Sequence, residues 1–269
     1  MNFIELFIKQ ICVVLTITLF FCNNIFAQDS IIDQDVRVNK QFWFDYNFTN
    51  SLTEALNIST QVGYRKITPK IYNRFLGIST LNIKNNKKLF NFEGDKPFIK
   101  SFHLGAGIIY TQNNNNNDNF ELRLIQGIQF EIPTIKPVTL NNYIRIEERF
   151  QNTFQSSGWQ AGFRLRYRMS TVLSLKNHYV RFTNGLYIPL EAEVFVNLKR
   201  NERFNDLIRL SPGLGYKLDN NWKFELYLIF NSTKNITETN NKSNDFILRL
   251  RVFNAGSKKQ EVNTSMNED

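Results

Sequence analysis

WQAGFRLRYRM, residues Trp159–Met169, is the stretch whose reading decides the fold. Trp159, Ala161, Phe163, Leu165, Tyr167 and Met169 occupy one phase of a two-residue period. Gln160, Gly162, Arg164, Arg166 and Arg168 occupy the other. A helix would scatter the three arginines around its surface. A strand separates them from the apolar set, because successive side chains point to opposite faces. The apolar phase continues through Leu173 and Leu175.

The same logic repeats on both sides of this segment. In Leu186–Leu198, Leu186, Ile188, Leu190, Ala192, Val194 and Val196 oppose Tyr187, Glu191, Glu193, Phe195 and Asn197. In Asn221–Asn231, Trp222, Phe224, Leu226, Leu228 and Phe230 oppose Lys223, Glu225, Tyr227 and Asn231. Phe246–Phe253 sets Phe246, Leu248, Leu250 and Val252 against Arg249 and Arg251. Phe120–Glu131 sets Phe120, Leu122, Leu124, Ile128 and Phe130 against Glu121, Arg123, Gln129 and Glu131. Gln41–Phe48, Leu56–Arg65, Tyr72–Ile83, Phe98–Gln112, Asn141–Gln151 and Asp206–Leu218 complete the set, with Tyr72–Ile83 the least regular. These make eleven segments parted by polar turns. A single-chain bacterial barrel normally has an even number of strands. The count expected is therefore 10 or 12, with a further strand near Thr171–Asn184 as the candidate that restores parity.

The first residues read as a targeting segment. Ile11–Cys22 is apolar and uncharged, Lys9 precedes it, and Ala27 offers a small residue at a cleavage point. That pattern predicts a secretory signal over residues 1–27, cleaved after Ala27. The apolar run is short for a membrane-spanning helix, which needs about 20 residues. Both cysteines, Cys12 and Cys22, lie within it, so the expected mature chain has none and is not a disulfide-stapled module. Phe20-Phe21 before Cys22 do not suit a lipid-attachment site. Residues 28–40 form a lead-in, 41–253 the all-β domain, and 254–269 a polar tail expected to be disordered.

Phenylalanine is abundant, 25 residues, and the formal net charge is +9. An exported chain meets no nucleic acid, so the acidic neighbour expected is lipid headgroup phosphate. Large aromatic faces, low mean hydropathy and no apolar 20-mer after the signal suit an antiparallel transmembrane β-barrel, an all-β fold. Its location would be the outer membrane of a Gram-negative cell. A soluble β-sandwich also alternates. Arg and Glu clusters on the polar faces favour the barrel, where opposite charges on neighbouring strands pair inside a narrow lumen.

YIRIEERF at Tyr143–Phe150 and FRLRYRM at Phe163–Met169, flanked by ELRLIQG at Glu121–Gly127 and EAEVF at Glu191–Phe195, carry a family resemblance. This pattern resembles the paired Arg/Glu strands of domain of unknown function 2490. The resemblance spans most of the expected mature chain. It implies an outer-membrane-type barrel and brings no activity with it. The Asn- and Lys-rich composition is similar to that of Bacteroidetes members.

The inward charges expected are Glu121, Arg123, Arg145, Glu147, Arg149, Arg164, Arg166, Arg168, Glu191 and Glu193. They form either a constriction that selects anionic or zwitterionic solutes or a network that fills and rigidifies a small barrel, and the second is preferred. Glu147 and Glu148 are adjacent, so they face opposite ways and share no substrate. Ser101 and His103 are two apart and share a face, the arrangement a lipid hydrolase needs for nucleophilic attack. Outer-membrane hydrolases carry the order His-x-Ser, whereas this chain has Ser-x-His. No catalytic group is therefore assigned. His178 is expected in a solvated turn. Two histidines and no mature cysteine leave no zinc site, and no cofactor is expected: Gly105-Ala106-Gly107 lacks the third glycine of a dinucleotide loop.

Three functions follow: an envelope scaffold or narrow pore with an Arg/Glu-lined interior, a lipid hydrolase using Ser101 and His103, or a soluble periplasmic ligand binder. The partners expected are outer-membrane lipid, the barrel-assembly machinery during biogenesis, and a small solute.

Overall fold

The structure, a computed structural model, describes residues 37–68, 72–85, 98–114, 117–132, 139–154, 158–174, 185–198, 206–218, 221–234 and 242–256. The expected signal, most of the expected lead-in, His178 and residues 257–269 lie outside these. The described residues contain no helix.

Eleven strands appear in chain order: β1 Arg37–Ser51, β2 Leu56–Thr68, β3 Tyr72–Lys84, β4 Ile99–Asn113, β5 Asn119–Ile132, β6 Leu140–Thr153, β7 Gln160–Ser174, β8 Leu186–Asn197, β9 Asp206–Lys217, β10 Trp222–Lys234 and β11 Lys242–Ala255. They coincide with the eleven alternating segments, extended by a few residues at most ends. Asn254 and Ala255 belong to β11, so the barrel runs two residues past the expected boundary at Phe253.

The strands close into a barrel in which each pairs with its sequence neighbours. All consecutive pairings are antiparallel. The expected even count is wrong. An odd number of alternating strands leaves β1 and β11 running the same way, so closure requires a parallel pairing. That pairing runs from Arg37↔Ser243 to Thr49↔Ala255. Parallel ladders are slightly weaker per residue, and the length of this one offsets the difference. The extra strand near Thr171–Asn184 is not needed: Thr171–Ser174 is the end of β7, and 175–184 lie outside the described residues.

The two faces of the wall have inverted polarity. Outward residues are large and apolar, with Leu228 67%, Val62 56% and Phe246 56% exposed. Inward residues are polar and enclosed, including Asp45, Glu121, Glu147 and Glu193. Aromatic contacts gather at both ends of the strands. Phe98–Phe130 and Trp222–Phe224 lie at one end, and Tyr110–Phe154 and Phe120–Trp159 at the other. Between β4 and β5, Asp118 accepts hydrogen bonds from the Tyr110 hydroxyl and from the Asn113 N–H at 3.0 Å. Those bonds hold its pKa below the ordinary value.

Glycines clear space for inward tyrosines. A Cβ on Gly127 would lie 2.7 Å from the Tyr143 ring, and one on Gly213 2.6 Å from the Tyr227 ring and 3.0 Å from the Leu226 carbonyl oxygen. Tyr227 is among the most enclosed side chains of the barrel. Gly213→Ala is therefore expected to destabilise by about 1–3 kcal/mol through overpacking. The expected readout is a lower temperature at which detergent-solubilised protein loses its compact gel mobility.

Candidate functional site: an arginine-lined lumen

Alternation on β5 to β8 delivers every expected inward charge to the interior, and the barrel links them around the wall. Glu121 of β5 accepts from Arg149 Nε and Nη2 of β6 at 2.9 and 2.7 Å and from Gln151 at 2.7 Å, and pairs with Arg123 two residues away. Glu147 of β6 is ringed by Arg145, Arg164, Arg123 at 3.5 Å and Arg166 at 3.8 Å. Glu193 of β8 holds Arg166 and, at 2.9 Å, Arg209 of β9. Glu191 meets Arg251 of β11 at 3.2 Å. Nine of the ten expected residues thus make ion pairs. Arg168 makes none among the described residues: it stands opposite Glu193 in register and over the Tyr143 ring at 5.3 Å.

Several members of the network were not singled out from sequence. Asp45 of β1 pairs with Arg249 of β11 and accepts from Gln61 Nε2 at 2.7 Å. Glu225 of β10 accepts from the Tyr227 and Tyr187 hydroxyls at 2.8 and 2.9 Å. Two aromatic posts stand among the guanidinium groups. Phe195 has Arg164, Arg166 and Arg209 within 5.0 Å of its ring centre. Trp43 has Arg65 at 4.1 Å, Arg209 at 5.0 Å and Arg249 at 5.7 Å. Cation–π contact lets arginines approach one another with the ring between them. The signal for Arg249 and Arg251 was legible as the polar phase of β11. Arg65 and Arg74 sit in strands with blurred alternation, and Asp45 sits in FWFDYNF, where its polar phase also carries Trp43.

One cavity of about 340 Å³ occupies the lumen. Eleven arginines line it, together with Asp245 as the only lining carboxylate among the described residues. Asp45, Glu121, Glu147, Glu191, Glu193 and Glu225 stand behind the guanidinium groups, in the wall. The carboxylates thus fix the arginine rotamers and the arginines face the void. A surface of this kind attracts anions and offers planar donor forks to oxyanions.

Ser101 and His103 are brought together as the spacing implied. Ser101 Oγ lies 2.7 Å from His103 Nε2, with Gln129 Oε1 at 3.4 Å from the serine. His103 packs edge-on against Tyr143 at 4.9 Å. The pair faces inward, not toward the apolar outer face. Glu148 points outward and shares a 3.2 Å hydrogen bond with Gln126, so it and Glu147 do occupy opposite faces. No cluster of metal-ligating side chains occurs among the described residues.

No curated protein and no solved structure matches the chain. One family does, described as "Protein of unknown function (DUF2490)", over residues 40–243, which takes in β2 to β10 and nearly all of β1. That span covers the Arg/Glu strands that carry the resemblance, and the chain belongs to the DUF2490 family.

Proposed function

We propose that this protein is an outer-membrane β-barrel serving as a narrow, anion-preferring passage. The observation that carries this reading is the inverted polarity of the wall: apolar side chains outside, arginines around an internal cavity. A soluble ligand-binding barrel needs the opposite arrangement, with water-compatible residues outside. The apolar exterior suits acyl chains, and the aromatic clusters at both strand ends suit the two interfacial girdles of a membrane barrel. Strands of 12 to 15 residues are long enough to cross, since a tilted strand needs about 9–11.

The first test is gel mobility of protein from the outer-membrane fraction with and without boiling in detergent. The expected result is a shift on boiling. Recovery in the soluble periplasm without a shift overturns the membrane placement. The second test is the reversal potential of the purified protein in a planar bilayer under a potassium chloride gradient. Chloride preference is expected, whereas cation preference or no conductance removes the passage and leaves a scaffold. Arg168→Gln is expected to lower the chloride-to-potassium permeability ratio, and to lower the gel transition temperature less than Glu147→Gln does, because Arg168 lies in the field of Glu191 and Glu193 without an ion pair to either. It removes a lumen charge that holds no carboxylate in an ion pair.

Lipid hydrolysis is the second reading, favoured by the Ser101–His103 hydrogen bond. It is disfavoured by the inward orientation of the pair and by an amide, Gln129, where a charged third member would orient the imidazole. Ser101→Ala must abolish lipase activity of the membrane fraction if hydrolysis is the function, and no such loss is expected.

A further inference from the structure

Three pairs of arginines stand directly opposite one another on neighbouring strands: Arg123↔Arg149, Arg145↔Arg166 and Arg65↔Arg74. Directly opposed like charges destabilise a sheet. The first two pairs carry a remedy. Glu121 bridges Arg123 and Arg149, and Glu147 bridges Arg145 and Arg166. No carboxylate bridges Arg65 and Arg74 among the described residues: Asp45, already paired with Arg249, acts on Arg65 from a distance and not on Arg74. Arg65 lies over the Trp43 ring, and its Nε is buried without a hydrogen-bond partner. Arg74 donates from Nε to Thr111 Oγ1 at 2.9 Å, which leaves its two terminal nitrogens for other acceptors. Both side chains line the cavity.

We propose that Arg65 and Arg74 form an oxyanion station in the lumen, filled by a phosphate-class group of a solute, which does for this pair what Glu121 and Glu147 do for the other two. Two guanidinium forks on adjacent strands match a tetrahedral group with several acceptor oxygens and more than one charge. The wider charge balance favours a multiply charged group. Eleven arginines line the cavity against seven carboxylates, six in the wall behind them and Asp245 beside them, an excess of four positive charges. The cavity is large enough for such a group with a few waters, since liquid water takes about 30 Å³ per molecule. A free solute is favoured over a lipid headgroup, because the pair opens on the interior and acyl chains meet the apolar outer face.

The station depends on the closed barrel and its charged interior. It does not depend on conduction or on membrane placement, so a barrel that passes no current still binds. The test uses the full chain, folded in detergent, titrated with inorganic phosphate against chloride at matched ionic strength. Trp43 reports on the site through its fluorescence, since Arg65 covers its ring, whereas Trp159 faces outward and Trp222 stacks on the outward Phe224. The expected result is a saturable, phosphate-specific change. R65Q/R74Q should weaken it by about tenfold or more, the scale of losing charge-assisted hydrogen bonds. Lys100→Gln, at the other end of the barrel, should leave it intact. Equal responses to phosphate and chloride, or an unchanged curve in the double variant, overturn the station. Should the double variant fail to fold, the native chain still decides. Phosphate must raise its gel transition temperature more than chloride does, because a ligand of the folded state stabilises by mass action, and no difference overturns the proposal. Displacement of phosphate by phosphatidate added to the micelles would overturn the solute assignment.

Discussion

Glu147→Gln is expected to destabilise the barrel by about 3–5 kcal/mol, the cost of removing one partner from a buried charge pair. The side chain is fully enclosed, at 0% exposure, and four arginines converge on its two oxygens. Glutamine keeps the volume but removes the charge, leaving four guanidinium groups to repel one another in a region of low dielectric. Arg145 and Arg166, directly opposed on β6 and β7, lose the carboxylate that reconciles them. The measurement is the temperature at which the compact gel form converts to the extended one, and a large fall is expected. Glu148→Gln is the internal control. That residue is next in sequence, faces outward, and has a single 3.2 Å contact to Gln126. Its substitution should change stability by less than about 0.5 kcal/mol, as surface changes usually do. Equal effects at 147 and 148 would mean that the alternation of β6 has been assigned to the wrong faces.

That contrast shows what the sequence made legible. RIEER cannot be read by composition, but with period two it splits into an inward set, Arg145, Glu147 and Arg149, and an outward pair, Ile146 and Glu148, and the barrel places them so. WQAGFRLRYRM separated its arginines from its apolar face for the same reason. What alternation does not carry is which residue across the lumen answers which. Asp45 and Arg249 are separated by 204 residues, and nothing local in FWFDYNF says which basic residue answers the aspartate. Asymmetry between the strands also hid Arg65 and Arg74. Their strands carry Thr, Ser, Asn and Gly on both phases, so neither face announces itself. Closure was misread for a different reason. The count of eleven segments was right, and the expectation of an even number came from how barrels usually close, not from any residue of this chain.

Asp45→Asn is expected to weaken the barrel at its closing seam and to lower the gel transition temperature by an amount comparable to Glu147→Gln. Asp45 is enclosed on β1, ion-paired to Arg249 on β11 and hydrogen-bonded by Gln61 on β2, so one carboxylate ties three strands where the chain ends meet. Without the charge, Arg249 keeps only the Trp43 ring at 5.7 Å among these contacts. Gly63 makes room for this arrangement: an added Cβ would lie 2.4 Å from Asp45 Oδ1 and 3.0 Å from Leu76. Gly63→Ala should therefore displace the same carboxylate. If both changes act through Arg249, the double variant costs less than the sum of the two, because neighbours sharing a partner are not additive. Additive losses would mean that Gly63 matters for packing against Leu76 instead. The seam is where opening should begin, since its ladder is parallel and its strands are the most distant in sequence. Phe44 and Leu250 are register partners across it on the outer face. A chain carrying Phe44→Cys and Leu250→Cys should form a disulfide, because neighbouring strands lie about 4.8 Å apart and a disulfide spans about 4.4–6.8 Å between Cα atoms. The cross-link should restore most of the stability lost in Asp45→Asn. A twelfth strand between β1 and β11 would hold those cysteines about 10 Å apart and prevent the bond, so failure to cross-link in the folded protein would rule out the parallel closure itself.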